Sequence, residues 1–230
     1  LETEHYFEWS REGAAPGDPI FIIGNPGTTS RLQTVAQLEF RRAIGDAHVL
    51  RFVRDRAEVL EEFIGAFPEE AEAYDLRNTA FSLRNQEKAM QGQIEGLEDP
   101  AIIARRLATQ REFRDSIQAD SALAAEYGGI FEEMREIQEE KEEFAPGFGA
   151  FLALGSNELS SPTLHRGLIA FQLLNAQRGG ASSDQLSALM DQLRAVPDYP
   201  ATLDQMLIEA RIRDFIEFYG EDSDLVTAIL

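Results

Sequence analysis

Apolar residues recur along most of this chain at alternating three- and four-residue steps, the period of a helix that buries one face. From Ser30 the pattern predicts a first helix with Leu32, Val35, Ala36, Phe40 and Ala43 on one face, opened by a capping box of Ser30 and Gln33. Gly45-Asp46 reads as a break, and Val49, Val53, Ala57, Leu60 and Ile64 make the next stripe. A third helix, from about Pro68 to Leu97, carries Ala73, Leu76, Ala80, Leu83, Met90, Ile94 and Leu97, with Glu87 in one slot of a coiled-coil-like seam. Asp99-Pro100 starts another helix, with Pro at its first position. A matching seam follows at Leu123, Tyr127, Ile130, Met134, Ile137 and Phe144, interrupted by Gly128-Gly129. The two seams predict two long helices packed antiparallel on each other. After Ala145-Pro146-Gly147 the texture changes to shorter helices starting near Pro162, Ser183 and Pro200.

One stretch departs from the helical period. Ile20, Phe21, Ile22 and Ile23 form a continuous β-branched and aromatic run, which predicts a strand over residues 19–24 buried on both faces. Gly24-Asn25-Pro26-Gly27 stops it, because Pro26 has no N–H to give to a ladder. Residues 1–17, with Tyr6, Phe7 and Trp9, read as an extended segment and a turn. Two strands alone are marginal in water, so this piece leans on the helices or belongs to a larger sheet. The expected fold is mostly α: a helical bundle with long antiparallel helices over residues 30–230 and a short N-terminal β segment within residues 1–29.

The totals narrow the chemistry. In 230 residues, 41 Asp and Glu against 21 Lys and Arg give a net charge of -20, which repels phosphate backbones and anionic headgroups. Neither nucleic acid nor membrane is an expected partner. There is no cysteine, which removes disulfides, thiol catalysis and cysteine-bound metal. No apolar run approaches the roughly 20 residues of a membrane helix, and no signal peptide is visible. The loop Gly24 to Ser30 lacks the Lys and the glycine spacing of a phosphate loop, so it reads as a structural turn. His5, His48 and His165 stand apart, without the helical spacing or carboxylate neighbours of a metal site. Gly155-Ser156-Asn157 and Ser182-Ser183-Asp184 do not form a nucleophile turn, and the second reads as a helix N-cap. The glutamates between Glu132 and Glu143 read as a solvated helix face.

One polar group stands out. On the third helix Asn78, Phe81 and Asn85 recur at three- and four-residue steps, with Gly92 two turns beyond, on a face well away from the Leu76 and Leu83 seam. Two readings are open: a second buried or ligand-facing surface, or asparagines that satisfy neighbouring backbone.

Gly24-Asn25-Pro26-Gly27-Thr28-Thr29-Ser30-Arg31, with Thr34 to Glu39, resembles the bacterial dipeptidyl-peptidase 7 and 11 family. The likeness continues through Phe81 to Gln86, Leu97 to Pro100 and Ala124 to Gly128, and thins toward Asp224-Leu225-Val226. These are serine exopeptidases in which a chymotrypsin-like double β-barrel carries a helical insertion. The resemblance implies that residues 1–29 are the end of the first barrel and that residues 30–230 are a helical domain capping the cleft. The family's triad would then lie outside this segment, so none of its roles passes to His5, His48 or His165, and the segment itself would be inactive. One role does pass: an Asn after a basic residue binds the substrate's free N-terminal amine, and Arg84-Asn85 matches that place. Phe81 and Arg84 are then expected pocket neighbours. The implied partners are peptides with a free N-terminus and the parent's β-barrel domains, with a homodimer possible. No cofactor or metal is implied, and the location would be periplasmic or secreted. Arg84 stands where many members have Lys, and Lys88 where some have Gly. The rival reading is a free-standing helical scaffold or protein-interaction module without enzymatic activity.

Overall fold

Thr34 opens the helical body. Its Oγ1 accepts from the Gln37 backbone N–H at 3.3 Å, and the Gln37 side chain accepts from the Thr34 N–H at 2.8 Å, which closes a capping box. The computed structural model describes residues 11–21, 24 and 32–229. The box expected at Ser30 and Gln33 therefore falls partly outside them, and the Gln33 side chain instead accepts from Arg41 at 2.8 Å. The chain forms two compact units, Leu1–Leu32 and Gln33–Leu230.

Among the described residues of the first unit there is no strand. The expected strand is half outside them, at Ile22 and Ile23; Ile20 and Phe21, read as buried on both faces, are 72% and 89% exposed. A ladder needs a partner, and none lies among these residues. What is present is a turn in which the Ala15 N–H donates to the Asp18 carboxylate at 2.8 Å, flanked by Gly13 and Gly17 with positive φ.

The second unit is helical throughout. Helix α1 (Val35–Phe40) runs through a π-helical turn (Arg41–Gly45) into α2 (Asp46–Ala66) without the break expected at Gly45-Asp46. Gly45 keeps helical dihedrals, φ -59 and ψ -59, and Arg41 spans the wide turn to pair with Asp46 at 2.7 Å. Pro68 then opens the short α3 (Pro68–Ala73). Asp75, at φ 53, turns the chain into α4 (Leu76–Glu98), so the single helix expected from Pro68 to Leu97 is two. Asp tolerates the left-handed region better than most residues, and Asn78 donates to its carboxylate at 2.9 Å.

The remaining elements are α5 (Pro100–Ala119), α6 (Ser121–Tyr127), α7 (Ile130–Phe151), α8 (Pro162–Arg178), α9 (Ser183–Ala195), α10 (Ala201–Tyr219) and α11 (Asp224–Ile229). Asp99, Ser161 and Ser182 cap α5, α8 and α9 through their side chains, close to the starts read from the sequence, and Asp120 caps α6, a start the pattern does not single out.

The seam on α4 is real, but its partner is α2. Leu76, Ala80, Leu83 and Leu97 are buried, while Ala73 is exposed. Pairing of Arg54 with Glu87 and of Glu61 with Arg84 shows that α2 and α4 run antiparallel. The second seam does not meet the first. Leu123, Tyr127, Ile130, Ile137 and Phe144 are exposed, and α7 buries instead Gln138, Ala145, Gly149 and Ala150 as it packs on α1 and α10. That face suits a close approach: a Cβ on Gly149 would stand 2.1 Å from the Phe218 ring of α10, so a larger residue requires that ring to move. The helix also continues through Pro146 and ends five residues after it, rather than at Ala145-Pro146-Gly147.

The core joins α2, α3, α4 and α10 through Phe52, Val53, Leu60, Phe63, Leu76, Leu83, Leu203 and Leu207, among others. Beside it lies a buried charge cluster. Arg56, Arg211 and Asp214 are 1%, 2% and 4% exposed. Asp214 accepts from Arg56 at 2.5 Å and faces Arg211 at 3.3 Å, and Arg211 donates to the carbonyls of Ala150 and Leu152 at 2.6 and 2.8 Å. Burial pushes the Asp214 carboxyl above its ordinary range and the Arg211 guanidinium, also repelled by Arg56, down to about 10.

Two measurements follow from this packing. Asp214→Ala leaves buried Arg56 with Asp55 alone and Arg211 with carbonyls alone, and should cost up to about 3–5 kcal/mol in urea denaturation, the range for one partner removed from a buried pair; a loss below about 1 kcal/mol would show that the cluster is not structural. His48, edge-on to Phe218 at 4.7 Å, has its pKa lowered from 6.5 by burial and by Arg51. The unfolded chain therefore takes up that proton first, and stability falls as pH drops through 6.5 toward the lower folded value. Denaturation from about pH 7.5 to about pH 5.5 should show this slope, and His48→Gln should flatten it.

Candidate functional site

Helix α4 has two opposite faces. At about 100° per residue, Leu76, Leu83, Met90 and Leu97 cluster on the side toward α2, and Asn78, Phe81, Asn85, Lys88 and Gly92 cluster on the far side. This second row is open. Phe81 is 67% exposed, Asn85 and Lys88 are exposed, and a Cβ on Gly92 would meet nothing within 4 Å. The structure thus brings Phe81 and Asn85 together, one turn apart on one face.

The asparagines divide. Asn78 is engaged by Asp75 in the corner before the helix, a local structural use. The Asn85 side chain makes no hydrogen bond with another described residue, which leaves its carboxamide oxygen and nitrogen free on the exposed face.

Arg84 is not on that face. It turns toward α2, where its Nε and Nη2 donate to the two oxygens of Glu61 at 2.9 and 2.5 Å, and its Nη1 donates to Glu87 at 2.7 Å. The other Glu87 oxygen accepts from Arg54 at 2.8 Å. These four residues form a ladder along one edge of the α2–α4 contact. The arginine hydrogen bonds hold the Glu61 and Glu87 carboxyls below their ordinary value of 4.5, and the two carboxylates in turn raise Arg84. The ladder is not apparent in the sequence, except that Glu87 occupies an apolar slot of the seam.

The remaining candidates have structural roles or lie elsewhere. His5 and the Gly24 to Ser30 loop, Gly24 apart, fall outside the described residues. His48 packs on Phe218, and His165 sits in the first turns of α8 with its Nδ1 buried. Ser156 accepts from the N–H groups of Glu158 and Leu159 in a turn, and Ser182 caps α9 as its context suggested. Along the glutamate run Arg135 pairs with Glu132 and Glu139 on the exposed face of α7. Among the described residues no group of His, Asp and Glu is placed to hold a metal ion, and no helix is long and apolar enough to cross a membrane. A cavity of about 350 Å³ between α1, α5 and α7 is lined by Gln110, Arg114 and Phe131, and α4 does not contribute to it.

The sequence model described as Peptidase S46, the dipeptidyl-peptidase 7 and 11 family, matches residues 1–230, the whole chain. The chain belongs to that family, and is thus a relative of serine-type dipeptidyl-peptidases. No curated protein and no solved structure matches it.

The ladder has its own signature in acid. Because the Glu61 and Glu87 pKa values are depressed in the folded state, their contribution is complete above pH 4.5 and is lost as pH falls through the lowered values. The pairs are partly exposed, so the effect should stay below about 1 kcal/mol. Comparing acid denaturation of the chain with that of Arg84→Met checks it: the variant should lose this part of the slope.

Proposed function

We propose that this helical body is the cap of a serine-type dipeptidyl aminopeptidase, and that Asn85 receives the free N-terminal amine of the peptide substrate. The observation that carries the reading is an unengaged asparagine on the open row of α4, directly after a basic residue, in a chain of the peptidase S46 family. The chemistry is simple. A carboxamide oxygen accepts from an ammonium group and cannot be neutralised by pH, so it counts residues from the peptide's end across the working range. Phe81, one turn earlier, offers an apolar wall beside that position. With the amine fixed, the bond presented to the nucleophile is the one after the second residue, and dipeptides leave.

In this reading the acyl transfer itself runs through a Ser-His-Asp triad on the β-barrel domains of the same enzyme, with residues 1–29 as part of the first barrel, and the helical segment alone is inactive. The enzyme acts on peptides in the periplasm or outside the cell, and needs neither cofactor nor metal.

A second reading rests on a different observation. The exposed apolar side chains Leu123, Tyr127, Ile130, Ile137 and Phe144 on α6 and α7 suit a protein-interaction module or a homodimer. In the peptidase reading the same side chains are the ground for contact with the rest of the enzyme.

Asn85→Ala in the complete peptidase tests the first reading. The substitution should raise KM or lower kcat/KM for free-amine peptides by about tenfold to a hundredfold, the cost of removing a hydrogen bond to a charged group. Unchanged kinetics would remove the assignment of Asn85.

A further inference from the structure

Between Leu83 and Leu97 no residue of α4 is fully buried. Glu87, Met90 and Ile94, the seam positions in this stretch, are all half-buried, so apolar packing there holds the helix less firmly than at Leu76, Ala80 and Leu83. Asn85 stands at the start of this stretch, where the rotation of α4 about its own axis decides which way the carboxamide faces. The ladder of Arg54, Glu87, Arg84 and Glu61 lies at the same level.

We infer that this ladder is the positioning device for Asn85: it sets the rotation of α4 so that the residue after Arg84 faces the substrate amine. The inference rests on the reading of Asn85 given above and adds to it the residues that aim it. Three features support a directional role. Arg84 engages both oxygens of Glu61 through Nε and Nη2, a fork geometry that fixes orientation as well as distance. Adjacent residues on a helix project about 100° apart, so holding the Arg84 side chain against α2 turns Asn85 to the open flank. Glu87 occupies a slot where an apolar residue would pack better, and both of its oxygens are taken by arginines on two different helices. A polar residue in an apolar seam specifies register at a cost in stability, which is the opposite of what a purely stabilising contact does.

The ladder is a set of positioning residues and touches no substrate. Pairs as exposed as these contribute little to folding, so their value lies in geometry. Arg84→Lys keeps the charge but loses the fork, and so distinguishes direction from simple attraction.

The test is steady-state kinetics of the complete peptidase on a free-amine peptide with a chromogenic leaving group, in Glu61→Gln, Glu87→Gln, Arg84→Lys and Asn85→Ala, and in the double variant Glu61→Gln with Asn85→Ala. The ladder variants should raise KM about threefold to fivefold with kcat within about twofold of the parent, the most that exposed pairs worth below about 1 kcal/mol can shift an orientation. Arg84→Lys should fall between the parent and Glu61→Gln. The double variant should be no worse than Asn85→Ala alone, because an absent side chain cannot be misaimed. Melting temperatures within about 3 °C of the parent exclude a folding defect as the cause. If Asn85→Ala raises KM while the ladder variants leave it unchanged, the positioning role is overturned and the amine site stands. Losses that multiply in the double variant also overturn it, because the ladder then acts apart from Asn85. Unchanged kinetics in Asn85→Ala overturn the amine site, and the positioning role with it.

Discussion

The helical body depends on a buried meeting of like charges around one carboxylate. Asp214 on α10 sits against Arg56 of α2 and Arg211 of its own helix, and Arg211 passes the contact on to the last carbonyls of α7. Three helices distant in sequence are thus fixed at a single point. The arrangement is costly: burial works against the charged forms of both Asp214 and Arg211. What it supplies is uniqueness, because an apolar cluster of the same volume would tolerate small rotations and a forked guanidinium on two carbonyls does not.

With that point fixed, α2 carries α4, and α4 presents different chemistry on its two sides. One side is the seam, with Leu76, Ala80 and Leu83 buried on α2. The other is the open row with Phe81 and Asn85. The charged ladder runs between them, so a helix whose packing is loose past Leu83 is still held at the level of Asn85. The buried seam and the open row therefore lie on separate faces of one element.

Much of this was legible in the sequence, and the failures have a common cause. The stripe of Val53, Ala57 and Leu60 and the seam of Leu76, Leu83 and Leu97 read directly as buried faces, because periodicity reports which side of a helix is apolar. Periodicity does not report which other face it meets. Both seams looked alike, yet one packs on α2 while Leu123, Ile130 and Phe144 of the other are exposed. The face that α7 does bury is made of Ala145, Gly149 and Ala150, a signal that composition hides, and its meaning depends on Phe218 far along the chain. Of the site, the row itself was readable; the division of labour between Asn78 and Asn85 was not, because it depends on the left-handed turn at Asp75. Glu87 was visible as a misfit, but its partners on α2 became apparent with the hairpin.

The π-helical turn at Arg41–Gly45 joins α1 to α2 without a loop. A five-residue turn takes in one residue more than the α-helical repeat, so it works as a phase shifter: every side chain before it is rotated relative to every side chain after it. Helix α1 can thus direct its buried face to α5 and α7 while α2 directs its own to α4 and α10, along one continuous rod. A connecting loop would have allowed the same two directions with freedom between them. Here the angle is written into the hydrogen-bond register, so a disturbance at either end of the rod is passed to the other as a rotation.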